Sequence, residues 1–409
     1  MRVLVVTQYF WPESFRINDV ALGLVERGHE VTVLTGVPNY PNGRFFDGYG
    51  PLRPYEQTYR GVDIKRVPLV PRRHAGKVLL SLNYLSFALS ASVLGPLLCR
   101  GSYDLILVYE PSPVTVGLPA IVLKRLKNLP IMFWVQDLWP ESLSAAEAVS
   151  SERILGLVAK MVRFIYKRCD RVLVQSKAFT SRVEALGAKP KDILYFPNWA
   201  EDVYKPLVLE DDAPERGETP GGFRVLYAGN IGAAQSFDTI LEAAARLKDQ
   251  ADISWLILGD GRMREWVVNR IGELGLSENV RLMDSRPVED MPRYFASADA
   301  LLVSLRRAPI FSLTIPSKIQ SYLASGRPIL ASLDGEGARV VKESGAGLTA
   351  PAQDADALAE SVLKMYRMSP ESRAEMGRDG REYFEQHFER GKLLDQLEGW
   401  MRDLVSDKA

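Results

Sequence analysis

Short runs of branched apolar residues alternate with helical stretches along the chain, and the alternation occurs twice. In the first half the runs are RVLVVT (2–7), HEVTVLT (29–35), YDLILVY (103–109), PIMFWV (130–135), RVLVQS (171–176) and DILYF (192–196). Between several of them lie helical patterns such as NDVALGLVERG (18–28). Strands that are apolar throughout and separated by helices predict a parallel sheet covered on both faces. Residues 201–222 are acidic and rich in Pro and Gly, and they read as a connector. The alternation then restarts with FRVLYAG (223–229), ISWLILG (253–259), NVRLMD (279–284), DALLVSL (299–305) and RPILAS (327–332), and the chain is helical from about Asp354. The predicted class is α/β: two Rossmann-like, doubly wound parallel-sheet domains, 1–200 and 223–387, joined by a 201–222 linker. Ligands of such sheets bind beyond the carboxyl ends of the strands, which for two facing domains means the cleft between them.

One segment breaks the pattern. VPRRHAGKVLLSLNYLSFALSASVLGPLLCR (70–100) is basic at both ends and mostly apolar from Val78 to Leu98. Roughly twenty apolar residues span a bilayer, but Asn83, several serines and Gly95-Pro96 weaken that reading. A buried crossover helix and a helix lying on a membrane, with Arg72, Arg73, Lys77 and Arg100 at the headgroups, fit the pattern about equally. RILGLVAKMVRFIYKR (153–168), also basic and apolar, tilts the balance toward membrane contact.

Charge changes the picture further. The formal net charge is zero, yet residues 1–200 hold 25 Lys+Arg and 16 Asp+Glu (25 − 16 = +9), leaving 26 and 35 for the remainder (26 − 35 = −9). A basic first half points to an anionic partner, a membrane surface or an acidic substrate. The positive charge is spread out and no nucleic-acid motif is present, which argues against nucleic acid. Cys99 and Cys169 have no CxxC partner, and His29, His74 and His387 are far apart, so neither a disulfide framework nor a metal site is expected. His29, between Gly28 and a strand, reads as structural. The amino terminus shows no signal-peptide pattern, and a cytoplasmic protein is expected.

Candidate chemistry gathers at strand ends. In TIPSKIQSYLASGRPILAS (314–332), Pro316 opens a helix and Lys318 sits in its first turn, where the helix dipole disfavours a cation. LYAGNIGAAQSFDTI (226–240) brings Gly229, Asn230 and Gly232 to a strand–helix turn whose N–H groups suit phosphate, although an ordinary turn has the same form. LGDGRMREW (258–266) repeats it, with Asp260 as an N-cap candidate and Arg262 and Arg264 early in a helix. Arg286 follows the next strand. Several cations on one edge of a parallel sheet point to a phosphorylated ligand. In the first half, YFWPESFRIND (9–19) and VQDLWPES (135–142) share Trp-Pro-Glu-Ser and place Glu13, Arg16, Asn18, Asp137, Trp139 and Glu141 at strand ends. Carboxylates there serve acid–base work or grip sugar hydroxyls, or they cap helices.

Together these motifs resemble family-4 glycosyltransferases of the GT-B fold over nearly the whole length. The likeness rests on LVERGHEVTVLTG (24–36), YFPNWAEDVYKP (195–206), YAGNIG (227–232), LGDG (258–261) and PSKIQSYLASGRPILA (316–331). YFWPESFRIND, VQDLWPES and PSKIQSYLASG are similar to the bacterial O-antigen L-fucosamine transferase subgroup in particular. The resemblance implies retaining transfer of a sugar from a nucleotide donor, expected to be UDP-linked. It puts the donor on the second domain at Gly229, Asn230, Gly232, Asp260, Arg262, Arg286, Pro316, Ser317, Lys318 and Ser321. It puts the acceptor on the first domain at Glu13, Arg16, Asn18, Trp139 and Glu141, with Asp137 as the acceptor-side carboxylate. It implies no metal and no other cofactor, and a C-terminal helix (388–409) crossing back onto the first domain.

Departures from the family are plain. The positions of two glutamates that most members carry fall on Leu313 and Ser321, the usual Arg and Lys after the first donor-domain strand on Asn230 and about Ser236, and the usual His before the Asp on Gln136. The expected function is a membrane-peripheral transferase on the inner face of the cell membrane. It would move a hexosamine-type sugar, N-acetyl-L-fucosamine for example, from a UDP-sugar to a polyprenyl-diphosphate-linked acceptor in surface polysaccharide (O-antigen or capsule) assembly. A GT-B epimerase would need a carboxylate pair flanking the donor, which is not evident. A dinucleotide oxidoreductase lacks its GxGxxG after the first strand. A non-catalytic nucleotide-sugar-binding partner subunit would bind without turnover.

Overall fold

RVLVV forms the central strand of the first sheet, β1 (Arg2–Val6), with four of its five residues buried. In the computed structural model, which describes residues 1–50, 55–72, 76–145, 151–210, 212–218 and 221–407, this strand belongs to a unit of Met1–Pro197 and Gly391–Ala409. Asn198–Arg390 form a second unit.

The first unit continues with β2 (Glu30–Gly36), β3 (Glu56–Tyr59), β4 (Val62–Val67), β5 (Leu105–Glu110), β6 (Ile131–Val135), β7 (Arg171–Val174) and β8 (Ile193–Tyr195). Its order is β3-β4-β2-β1-β5-β6-β7-β8, parallel except for β3. The chain therefore winds outward from β1 in both directions, and the switch point lies at the carboxyl ends of β1 and β5. The helices are α1 (Arg16–Glu26), α2 (Lys77–Leu98), α3 (Gly117–Lys127), α4 (Glu141–Ala145), α5 (Glu152–Tyr166) and α6 (Phe179–Ala185).

Sequence periodicity missed β3 and β4. They form a two-residue hairpin in which Tyr59 pairs with Val62 across Arg60 and Gly61, both at positive φ (49° and 88°). That is the twist a right-handed ribbon requires of its turn. The segment 70–100 forms a helix buried on one face only. One face of α2 buries Asn83, Phe87, Ala88, Ala91 and Gly95, while Val78, Leu82, Leu85, Leu89, Val93 and Leu97 lie exposed on the other. The helix is long and apolar enough to cross a membrane by length and composition. Asn83, Ser86 and Ser90, which weakened that reading, hold the 68–72 segment by hydrogen bonds. Arg73 and His74 lie outside the described residues.

The second unit holds α7 (Pro214–Gly217), β9 (Phe223–Ala228), α8 (Phe237–Arg246), β10 (Ile253–Leu258), α9 (Arg264–Glu273), β11 (Val280–Met283), α10 (Met291–Ser297), β12 (Ala300–Ser304), α11 (Pro309–Leu313), α12 (Ser317–Ala324), β13 (Ile329–Ser332), α13 (Glu336–Glu343), β14 (Gly347–Ala350), α14 (Ala355–Tyr366) and α15 (Pro370–His387). Its sheet is wholly parallel, β11-β10-β9-β12-β13-β14, and switches at β9/β12. Alternate residues of β9 feed opposite cores. Val225 and Tyr227 pack with Phe237, Ile240 and Leu358, and Leu226 and Ala228 with Phe295, Tyr322 and Leu323.

The expected 201–222 connector is part of this second unit. Arg293 pairs with Glu215 (2.5 and 3.0 Å), and Leu209 and Ala213 pack with Ala296. The chain passes between units at 197/198 and 390/391. Gln320 donates to the carbonyl of Asn198 (2.8 Å), and Phe388 is buried in the second unit's core. The last helix, α16 (Arg390–Ser406), buries Leu394, Leu397 and Met401; Asp395 pairs with Arg27 (3.0 Å), and Asp407 with Arg171 (3.2 Å). His29 is structural, with Nε2 3.1 Å from Glu398 Oε1.

Candidate active site

In the second unit the chain leaves β9 at Gly229 (φ +125°) and β10 at Gly259 (φ +155°). The two turns stack backbone on backbone. A Cβ on Gly259 would lie 1.9 Å from the Gly229 carbonyl oxygen, and one on Gly261 2.2 Å from that of Ile231. The Ile231 N–H donates to the Asp260 carbonyl (2.8 Å), and the Met263 N–H to that of Ile231 (3.0 Å). Only glycine tolerates this approach.

Lys318 reaches the same turn from α12. Its Nζ stands 2.7 Å from where a Gly229 Cβ would be, and 5.2 Å from the centroid of the Tyr227 ring. Among the described residues it has no ion pair and no hydrogen bond, and burial pushes its ammonium below the usual lysine range. Pro316 is the N-cap, and no side chain caps α12. The helix start, the glycine turn and one cation without a counter-ion thus converge on a place that an anion would complete. The tyrosine ring holds the ammonium without neutralising it.

The other sequence candidates divide. Asn230 follows Gly229, is exposed, and reaches only Gln235 (3.3 Å), beside Gly232. Arg262 is exposed in the turn before α9. Asp260 does not cap α9, because it accepts from the adjacent Gly261 N–H (2.7 Å) and the cap position is Met263. Arg264 pairs with Asp284 (2.6 Å). Arg286 pairs with Glu218 (3.1 Å) and lies over the Tyr294 ring, whose hydroxyl donates to the same carboxylate (2.7 Å). Its charge is answered within the protein, so it is not an open phosphate site. Ser317 is exposed, whereas Ser321 is nearly buried and donates back to the Ser317 carbonyl (3.3 Å) along its own helix. Ser236, in the left-handed conformation before α8, bonds Asp238 (2.8 Å).

In the first unit, Glu13 is inside the fold rather than presented from it. Oε1 accepts the N–H groups of Asn39 (2.8 Å) and Tyr40 (2.7 Å), and Oε2 accepts that of Phe10 (3.3 Å). Burial pushes this carboxyl up to about 7. Asn18 donates to the Glu13 carbonyl (2.7 Å), so it too is committed to the turn. The Glu13 carboxyl thus ties the loops after β1 and β2 together, and Asn18 braces the first of them. Arg16 opens α1 with its charge beside the Tyr109 hydroxyl. Trp139 is 5% exposed, donates to Ser112 (3.1 Å) and meets Tyr84 edge-on, so its wall is largely core packing.

Asp137, after β6, accepts from the Ser142 hydroxyl and the Leu138 N–H, and burial holds its pKa above the ordinary aspartate value. Beside it is a residue that periodicity could not single out. Glu110 ends the wholly buried β5, and among the described residues neither carboxyl oxygen has a partner at full hydrogen-bond geometry, the Asp137 and Gln136 N–H groups being its polar neighbours. Burial, then the Asp137 charge, raise its pKa well above the usual range. Glu141, the first residue of α4, has one buried oxygen without a partner. The available signal was a lone glutamate closing an otherwise apolar strand.

Two doubly wound units, one with an anion-seeking glycine turn and the other with carboxyls beyond its strand ends, define a two-domain glycosyltransferase of GT-B architecture. Solved structures share that fold. The chain matches sucrose-phosphate synthase from Thermosynechococcus elongatus with a TM-score of 0.75 at 17% identity, covering 99% of each chain. It matches Anabaena Alr3699/HepE, solved with UDP, at 0.67 and 13%, covering 98% of this chain and 100% of that one. Residues 14–199 match the glycosyl transferase 4-like domain and residues 222–368 the glycosyl transferases group 1 domain. The chain is a family-4, nucleotide-sugar-dependent glycosyltransferase. It is also 25% identical over 338 residues to WcaI of Escherichia coli K12, a glycosyl transferase assigned to colanic acid biosynthesis, covering 80% of this chain and 82% of that one.

Proposed function

We propose that the protein moves a hexosamine-type sugar, such as N-acetyl-L-fucosamine, from a UDP donor to a polyprenyl-diphosphate-linked acceptor, with retention, in bacterial surface-polysaccharide assembly. The observation that carries the donor half is the Lys318 ammonium beside Gly229, without a counter-ion among the described residues. A nucleotide diphosphate there would take its charge from Lys318 and from the uncapped start of α12. As the glycosidic bond breaks, negative charge grows on the leaving diphosphate, and a fixed cation in a partly desolvated place stabilises it more than the ground state. UDP in HepE and the polysaccharide pathway of WcaI support the reading.

On the acceptor side, Asp137 is the group we assign to the incoming hydroxyl. Glu110, whose carboxyl pKa burial pushes well above the usual range, is its titratable neighbour. The exposed apolar stripe of α2, with Ile154 and Leu157 of α5 also exposed and Arg153, Lys160 and Arg163 among them, supports peripheral contact with an anionic leaflet at the cytoplasmic face. The test is a panel of nucleotide sugars incubated with the protein and a membrane lipid extract, with mass spectrometry of the lipid fraction. The expected result is one UDP-sugar adding one sugar to a lipid-linked species. A UDP-sugar consumed without any lipid product overturns the reading.

A further inference from the structure

Arg72, like Lys318, is a cation held against aromatic rings. Among the described residues it forms no ion pair. Its guanidinium lies 5.9, 5.3 and 5.8 Å from the ring centroids of Tyr9, Tyr40 and Tyr84, and Nη2 is 3.4 Å from the Tyr84 hydroxyl. Aromatic faces hold a guanidinium in place and leave its charge available.

The position is built from beneath. Ser90 Oγ donates to the Pro68 carbonyl (2.6 Å), the Val70 N–H to Ser86 Oγ (2.9 Å), and Asn83 Nδ2 to the Val70 carbonyl (2.7 Å). The Arg72 N–H donates to Asn39 Oδ1 (3.4 Å), and Asn39 and Asn83 are both fully buried. The same strap and the exposed side of α2 enclose a groove of about 550 Å³, walled by Pro68, Val70, Pro71, Leu89, Val93 and Leu94. None of the described residues that line it is charged. An anchored cation one residue along the chain from an apolar trough suits a ligand with an anionic head and a hydrocarbon tail.

We propose that Arg72 and this groove bind an isoprenoid diphosphate, the diphosphate on the guanidinium and the first isoprene units along α2. This rests on the lipid-linked acceptor reading above and adds where on the first unit that lipid is held. The guanidinium fork matches two phosphate oxygens at once, as a lysine point charge would not. The Tyr84 hydroxyl, at hydrogen-bond reach of Nη2, gives the head a further polar neighbour.

The test uses the full chain with farnesyl diphosphate as probe and excess UDP present to occupy the donor site. We expect saturable binding, with farnesol and inorganic diphosphate each much weaker because each lacks one half of the ligand. Arg72→Gln should weaken farnesyl diphosphate roughly tenfold or more, the loss of a charged hydrogen-bonding group, with Arg72→Lys between the two. Val93→Glu, at a position 60% exposed and therefore safe for folding, should weaken farnesyl diphosphate and leave UDP affinity unchanged. Wild-type affinity in both Arg72→Gln and Val93→Glu overturns the proposal, as does farnesyl diphosphate binding no better than inorganic diphosphate. The lipid-extract assay separates the two ideas. Lipid glycosylation with unchanged KM in both variants removes the groove and keeps the transferase function. Arg72-dependent farnesyl diphosphate binding without any lipid product keeps the groove and removes that acceptor.

Discussion

The Lys318 ammonium lies 2.7 Å from the point where a β-carbon on Gly229 would sit, so the turn after β9 and the start of α12 are fitted to each other through one lysine. Gly229→Ala therefore has two effects. It strains a backbone at φ +125°, costing about 1–3 kcal/mol, and it displaces the ammonium. The expected outcome is lower denaturant stability together with roughly tenfold weaker UDP binding by calorimetry, the loss of about one charged hydrogen bond.

Lys318→Met separates binding from stability. The folded state disfavours the ammonium relative to the unfolded chain, so its desolvation cost is present at neutral pH. That cost fades as pH rises through the lowered folded pKa toward the ordinary lysine value. Methionine removes it. We expect stability unchanged or raised by about 1 kcal/mol, UDP affinity reduced at least about tenfold, and a flatter stability profile on the alkaline side.

Arg286 and Lys318 looked equivalent in the sequence and should not behave alike. Arg286 is paired with Glu218 at the surface, so Arg286→Gln should shift UDP affinity by less than about threefold, within the modest worth of an exposed pair. A loss as large as that of Lys318→Met would show that Arg286 leaves Glu218 for the ligand.

Glu13 links pH to stability with a definite sign. Its folded value of about 7 exceeds the ordinary glutamate value of 4.5, so the folded state holds the proton more tightly. Its contribution is complete below about 4.5 and is lost as pH rises to about 7. Glu13→Ala should abolish that slope and cost about 3 kcal/mol, because it strands buried N–H groups of Asn39 and Tyr40. Urea titrations at several pH values read both.

For the transfer reaction, Asp137→Asn should lower kcat far more than it changes UDP affinity, and the acid limb of wild-type activity should lie above the ordinary aspartate pKa. Glu110→Gln, nearly isosteric with the protonated acid, should keep most of the activity, with its acid limb little moved. A collapse of kcat in Glu110→Gln alone would transfer the central role to Glu110.

The two-fold βα rhythm, the parallel sheets and the breaks at glycine and proline were legible in the residues because they follow from local periodicity, and local periodicity decides what each segment can bury. Lys318 was legible for a related reason: a cation in a first helical turn is locally unfavourable, and the sequence alone shows the conflict. The β3–β4 hairpin was within reach through Arg60-Gly61 but too short for a period to register. What tertiary packing decided was which polar groups found partners. Glu13, in the same Trp-Pro-Glu-Ser tetrapeptide that follows Asp137, turned inward because Phe10, Asn39 and Tyr40 offered it N–H groups, and Asn18 bonded the Glu13 carbonyl. Arg286 met Glu218 from the supposed connector, while among the described residues Lys318 and Arg72 met aromatic side chains and no carboxylate. The Glu110 carboxyl is pushed toward its neutral form because β1 and β6 close around its strand. Each outcome depends on atoms brought together from distant parts of the chain, and no spacing along the sequence encodes those distances.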